Sequence, residues 1–187
     1  MHEVSLNQVI TDYITGKEIE MTTYEDLRQA IARLLVEEKG YPARSIIPKY
    51  PLELDLGDKK YSISIDFVIF KDRLPVLITA FCPGAVSTYI TQYIALARLF
   101  PETSVPYVVV TDSKDAVLME TATRKEICRG YHCIPDWEEL SRLAAQAPAP
   151  VLSRTRLEKE KRIAYAMFAL SDGCCTSDCS IRKVVPE

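Results

Sequence analysis

The chain has 187 residues, 26 acidic against 23 basic side chains and a formal charge of -3, which is enough length to bury a core and too little for several domains. That balance, with a pI near 5.5, argues against a broad non-specific nucleic-acid binder, although a local basic groove is still compatible with it. No run of about eighteen apolar residues and no basic-then-apolar leader is present, so the expectation is a cytoplasmic, unexported protein without a membrane partner, whose six cysteines are reduced thiols or metal ligands.

Residues 1–20 read as an extension, with a short helix over Ser5–Ile10 and turn chemistry at Thr15-Gly16. The first firm helix starts at Thr22 or Thr23. Thr23 would cap it, Asp26 would complete a shortened capping box, and Leu27, Ile31, Leu34 and Leu35 give it an apolar stripe up to Gly40. Glu25, Arg28 and Gln29 near its start read as a solvated first turn.

Lys49–Gly84 organises the rest. Alternation predicts strands over Pro51–Leu56 and Tyr61–Phe70 around a Gly57-Asp58-Lys59-Lys60 turn, and a third, non-polar strand over Val76–Cys82. In the second strand Tyr61, Ile63, Ile65, Phe67 and Ile69 share one face, and Asp66 falls on the other beside Val68 and Phe70. A carboxylate among apolar neighbours is costly unless it is paired, hydrogen-bonded or metal-bound, so Asp66 is the first candidate site residue.

Pro83-Gly84 breaks the chain before a charge-poor helix, Val86–Leu99, expected to be buried along most of its girth. Tyr107–Thr111 predicts a buried fourth strand, Ala116–Glu120 a short one, and Glu126–Cys128 another; Asp136 caps a helix through Ala145. The fold class is α/β, an α-β-β-β-α-β core over 21–146 with a mixed central sheet. A stiff Pro/Ala linker at 147–153 precedes a helix over 154–172 and a cysteine-rich tail at 173–187. The charged first half of that helix reads as a solvated face with a Glu158–Arg162 pair.

These pieces in this order resemble the PD-(D/E)XK nuclease fold, and more narrowly the N-terminal domain of the restriction subunit of type I restriction-modification enzymes. The matching residues are Glu25-Asp26-Leu27-Arg28-Gln29, Gly40-Tyr41-Pro42, Ile65 to Phe70, Pro75 to Ile78 leading to Pro83-Gly84, and Val109 to Asp112. The resemblance implies a restriction-endonuclease-like core and a site in which an aspartate and a glutamate hold a divalent cation such as Mg²⁺ while a lysine positions the attacking water. Asp66 matches the aspartate. Thr79 and Phe81 stand where the glutamate and lysine belong, and a benzyl ring can neither bind metal nor donate a proton. Glu25 is the second carboxylate that could join Asp66, and Gln92, followed by Tyr93, echoes the family's glutamine-and-tyrosine element.

Cys174, Cys175 and Cys179 form a second candidate site, with Cys128 and Cys133 around His132 able to complete a zinc or iron–sulfur centre if the tail folds back. Thiol redox chemistry is the competing use of the same residues. No G-x-S-x-G, phosphate-binding glycine loop or H-E-x-x-H is present. Three functional readings follow: a catalytically degenerate nuclease scaffold that stands without a motor domain and binds DNA or a protein; a metal-dependent endonuclease rearranged around Asp66; and a metal or redox sensor acting through the cysteine tail. For Asp66 itself the competing role is structural, tied to Arg28 or to a backbone N–H.

Overall fold

The computed structural model describes residues 3–57, 60–101, 103–148, 152–172 and 181–183. The chain opens not with a helix but with an antiparallel hairpin of β1 (Ser5–Thr11) and β2 (Glu18–Thr22). Its Ser5–Ile10 segment is extended because hydrogen bonding to β2, rather than an apolar helical stripe, organises it. The hairpin leads into α1 (Glu25–Arg33), which continues through one π turn over Leu34–Glu38 to Gly40 at φ +69. Thr23 is not its cap. Its hydroxyl is taken up by Val4, accepting from the Val4 N–H and donating to the Val4 carbonyl, so the start of the helix is fastened to the hairpin instead.

The main sheet follows as β3 (Ile46–Asp55), β4 (Lys60–Lys71), β5 (Leu74–Phe81), then α2 (Val86–Arg98), β6 (Tyr107–Thr111), β7 (Ala116–Glu120) and β8 (Glu126–Arg129). Strand order equals chain order, with every neighbour antiparallel except β5 and β6. That one parallel pair needs a crossover, and α2 supplies it. Two helices complete the molecule: α3 (Trp137–Gln146), capped by the Asp136 carboxylate on the Glu139 N–H, and α4 (Arg154–Asp172). A short β9 (Ile181–Lys183) pairs with the far half of β4.

The sheet separates two apolar layers. Ile78, Ala80, Val108, Val110, Val117 and Met119 face α2 and α4, whereas Leu77, Phe81, Tyr107, Val109 and Leu118 face α1 and α3. Simple alternation holds on β5 to β7 and fails on the β3–β4 hairpin. Ile63 and Ile65 join the α2/α4 layer while Phe67 and Ile69 join the α1/α3 layer, so the five residues expected on one face of β4 divide between two. On β3 the same exchange separates Ile46 from Leu52 and Leu54. It occurs at Lys49, whose φ of +48 breaks the pleat between the Pro48–Phe67 and Tyr50–Ile65 pairs. Asp66 sits at that level.

Helix α4 is not merely solvated. Arg98 of α2 and Glu160 of α4 are both buried and lie 2.6 Å apart, with the rest of the guanidinium donating to the Thr121 and Ala122 carbonyls. Glu160 also accepts from Arg156, and Glu158 pairs with Lys161 rather than with the expected Arg162. Ala164 and Phe168 are buried on the same helix, the latter edge-on to Tyr93. Among the described residues no helix is long and apolar enough to cross a membrane.

Candidate functional site

Strands β4 and β5 part company above the Phe67–Thr79 pair, the last rung of their ladder, although β5 runs on beside β6 to Phe81. The Asp66 carboxylate fills the breach. Its Oδ2 accepts the Phe81 N–H at 2.8 Å, a donor the β4 backbone no longer reaches, and its Oδ1 accepts from Arg28 Nε at 2.5 Å. Both oxygens of Asp66 are therefore committed, one to the backbone and one to a guanidinium.

Helix α1 brings the remainder. Glu25, Arg28 and Gln29 stand at i, i+3 and i+4, hence on one face, and that face is turned inward: they are 1%, 5% and 7% exposed. The expectation of a solvated first turn fails because the β1–β2 hairpin covers it. Arg28 contacts Glu3 at close range through one terminal nitrogen, and Glu3 and Glu25 through the other. Glu25 further accepts from Gln29 Nε2 at 3.0 Å and pairs with Lys49 Nζ at 2.8 Å. Gln29 reaches Asp12 with the same amide nitrogen and accepts the Tyr13 N–H with its oxygen.

Asp12 closes the network. Burial pushes its carboxyl up, but hydrogen bonds from Gln29 and from the Thr15 hydroxyl and N–H outweigh that and hold it below the usual carboxylate value. Three carboxylates, those of Glu3, Glu25 and Asp66, thus share two cations, Arg28 and Lys49, and Asp12 joins them only through the Gln29 amide. Beneath them Tyr93 is buried, and its phenol is held well above its ordinary range by burial first and by the Asp66 charge second.

The other candidates are where the strand pattern puts them. Thr79 is fully buried and its hydroxyl has no hydrogen-bond partner among the described residues. Phe81 lies two residues on along the same face, its ring centroid 5.5 Å from that of Tyr24. Gln92 is buried next to Tyr93 on α2, and among the described residues no hydrogen bond joins it to Asp66 or Glu25. Sequence reasoning missed Glu3, Asp12 and Lys49. Glu3 and Asp12 come from a hairpin with no apolar pattern to reveal it, and Lys49 is aimed by its own left-handed backbone, for which lysine gives no signal.

The second candidate site divides. Cys174, Cys175 and Cys179 lie outside the described residues. Cys128 and Cys133 are joined by a disulfide, with Cα atoms 5.6 Å apart, which corrects the expectation of free thiols at these two positions. The turn at Gly130 folds the chain back and sets the pair at a bridging distance. His132 lies against both sulfurs. Among the described residues these three are the one group of His, Cys, Asp or Glu whose ligand atoms converge, all within 4.8 Å; the carboxylates around Arg28 do not. Cys82 is a buried free thiol, pushed up to about 11 chiefly by burial, and is core.

Compared with known proteins, residues 23–135 match the family model described as type I restriction enzyme R protein N terminus. That span covers more than half of the chain and runs from two residues before α1 to the residue before the α3 cap, taking in Glu25, Arg28, Asp66, Thr79 and Phe81. Neither the curated proteins nor the solved structures gave a match.

Proposed function

The chain belongs to the family of the type I restriction enzyme R protein N terminus, and from that premise we propose that it is a catalytically silent nuclease scaffold of the PD-(D/E)XK kind, binding DNA or a protein partner without cutting. The observation that carries this reading is the position of Arg28. Hydrolysis of a phosphodiester needs carboxylate oxygens free to hold a divalent cation and a basic group beside the water it activates. In this site the guanidinium already occupies the space between Glu3, Glu25 and Asp66.

The magnitude matters. A divalent cation about 4 Å from that guanidinium would be repelled by roughly 8 kcal/mol at an effective dielectric of about 20. Displacing Arg28 instead leaves buried carboxylates without their cation, at a cost of about 3–5 kcal/mol. Thr79 and Phe81 add nothing to offset either cost, since neither supplies an anion or an amine.

A second reading is favoured by Lys49, whose ammonium lies 2.8 Å from Glu25 with its side chain 44% exposed. In that reading the lysine and an added carboxylate, Glu3, rebuild an endonuclease centre around Asp66. One experiment separates the two. Supercoiled plasmid incubated with the protein and Mg²⁺ or Mn²⁺ stays intact under the first reading, while duplex binding, if DNA is the partner, weakens steeply with salt. Nicking that disappears in both Asp66→Ala and Lys49→Ala would select the second.

A further inference from the structure

β8 ends at Arg129, Gly130 reverses the chain at φ +110, and one 3-10 turn over Tyr131–Cys133 returns it, so that Cys133 comes to rest across from Cys128. The imidazole of His132 folds over the junction, with Nε2 3.7 Å from Cys128 Sγ and 3.5 Å from Cys133 Sγ. The loop is shaped around that ring. A Cβ on Gly130 would stand 2.8 Å from His132 Cε1 and 2.9 Å from Nδ1, closer than such contacts occur, and the backbone angle also disfavours a side chain. Glycine at 130 and histidine at 132 together hold a nitrogen ligand over two sulfurs.

We propose that Cys128, His132 and Cys133 form a redox-gated site for a soft divalent cation of the zinc class, closed by the disulfide and open in the dithiol state. The inference does not rest on the reading of Asp66. With a zinc–sulfur bond of about 2.3 Å and a zinc–nitrogen bond of about 2.0 Å, tetrahedral geometry separates sulfur from nitrogen by about 3.5 Å. The two observed sulfur–nitrogen distances, 3.7 and 3.5 Å, are already close to that value. The third edge, between the thiolates, would be about 3.8 Å, so the sulfurs alone must move apart when the bond is cut. Zinc suits two thiolates and an imidazole better than do hard cations that prefer oxygen. A fourth vertex is left for water.

The chemistry balances with a dithiol reductant. Two thiols of the donor become its disulfide, and the two electrons and two protons they give up convert the Cys128–Cys133 bond to two thiols. The cation then displaces one proton from each thiol and takes the neutral imidazole as its third ligand, so two protons leave for each ion bound. Oxidation by a disulfide oxidant reverses the sequence and ejects the ion.

The test uses the full chain with Cys174, Cys175 and Cys179 changed to serine, which removes the remaining candidate thiolates of the tail. After anaerobic reduction with a phosphine and removal of the reductant, Co²⁺ is titrated and followed by its thiolate charge-transfer and tetrahedral ligand-field bands. One equivalent is expected to bind, to be displaced by Zn²⁺, to be absent from the disulfide form, and to bind at least ten-fold more weakly in His132→Ala. Reduced protein that keeps its circular dichroism and takes up no cobalt would overturn the proposal, as would equal uptake by the disulfide form. Should Cys128→Ser/Cys133→Ser fail to fold, the exposed His132→Ala decides, and unchanged affinity there overturns it too.

Discussion

Replacing Arg28 with alanine removes the one cation shared by Glu3, Glu25 and Asp66. The side chain of Arg28 is 6% exposed, and those of Glu25 and Asp66 are 2% and 12% exposed, so water cannot take its place without opening the hairpin. Breaking a buried ion pair from one side costs about 3–5 kcal/mol. Asp66 retains the Phe81 N–H, and Glu25 retains Gln29 and Lys49, which sets the expectation at the lower end, near 3 kcal/mol. For a domain of this size that is a fall in Tm of roughly 6–12 °C. Arg28→Met, which keeps most of the apolar stem, separates packing from charge. Urea unfolding followed by circular dichroism measures both variants. Millimolar Mg²⁺ or Mn²⁺ should then stabilise Arg28→Ala and leave the parent unmoved, because only the variant has carboxylates in want of a cation. A loss below about 1 kcal/mol in Arg28→Ala, with no rescue by metal, would refute the view that this guanidinium holds the site together.

Three further outcomes are expected. Arg98→Met leaves Glu160 buried with only the half-exposed Arg156 and frees the Thr121 and Ala122 carbonyls, so unfolding free energy should drop by about 3–5 kcal/mol; an unchanged urea midpoint would mean that α4 is not fastened there. Thr79→Val exchanges an unsatisfied buried hydroxyl for a methyl of the same shape, and should be neutral or stabilising by about 1–2 kcal/mol, with a clear loss of stability the contrary result. Because the folded Asp12 carboxyl titrates below its ordinary value, its contribution is present above the unfolded value of about 3.9 and is lost as pH falls through the lower folded one. Asp12→Asn should therefore be less stable at neutral pH and should show a shallower acid-side decline; parallel pH profiles would contradict this.

What could be read from the sequence was whatever burial writes into local pattern. The non-polar runs of β5 and β6 and the charge-poor α2 announce elements covered on more than one side, and Asp136 announces the start of α3. The placement of Thr79 and Phe81, two residues apart on β5, was also legible, since it depends only on counting along a strand. The β1–β2 hairpin was hidden because most of its side chains face water, so no periodicity distinguishes Ser5–Thr11 from a helix or a loop. The exchange of faces at Lys49 was hidden because it stems from a backbone angle that the side chain does not favour. Arg98 and Glu160 meet from 62 positions apart, and nothing in the charged run on α4 marks the single carboxylate that turns inward. The spacing of Cys128 and Cys133 does not by itself distinguish a bridge from two thiols, because the pair is brought together by the backbone angle at Gly130.

On the proposed reading, Arg28 stands in the space a divalent cation would need between Glu3, Glu25 and Asp66. Manganese binding by the full chain, followed as loss of the free Mn²⁺ electron paramagnetic resonance signal, tests it most directly in the parent and in Arg28→Ala, Asp66→Ala and the double variant. Negligible binding by the parent is expected, with weak binding gained in Arg28→Ala and lost again when Asp66 is also removed. Stoichiometric Mn²⁺ binding by the parent that vanishes in Asp66→Ala would contradict the account.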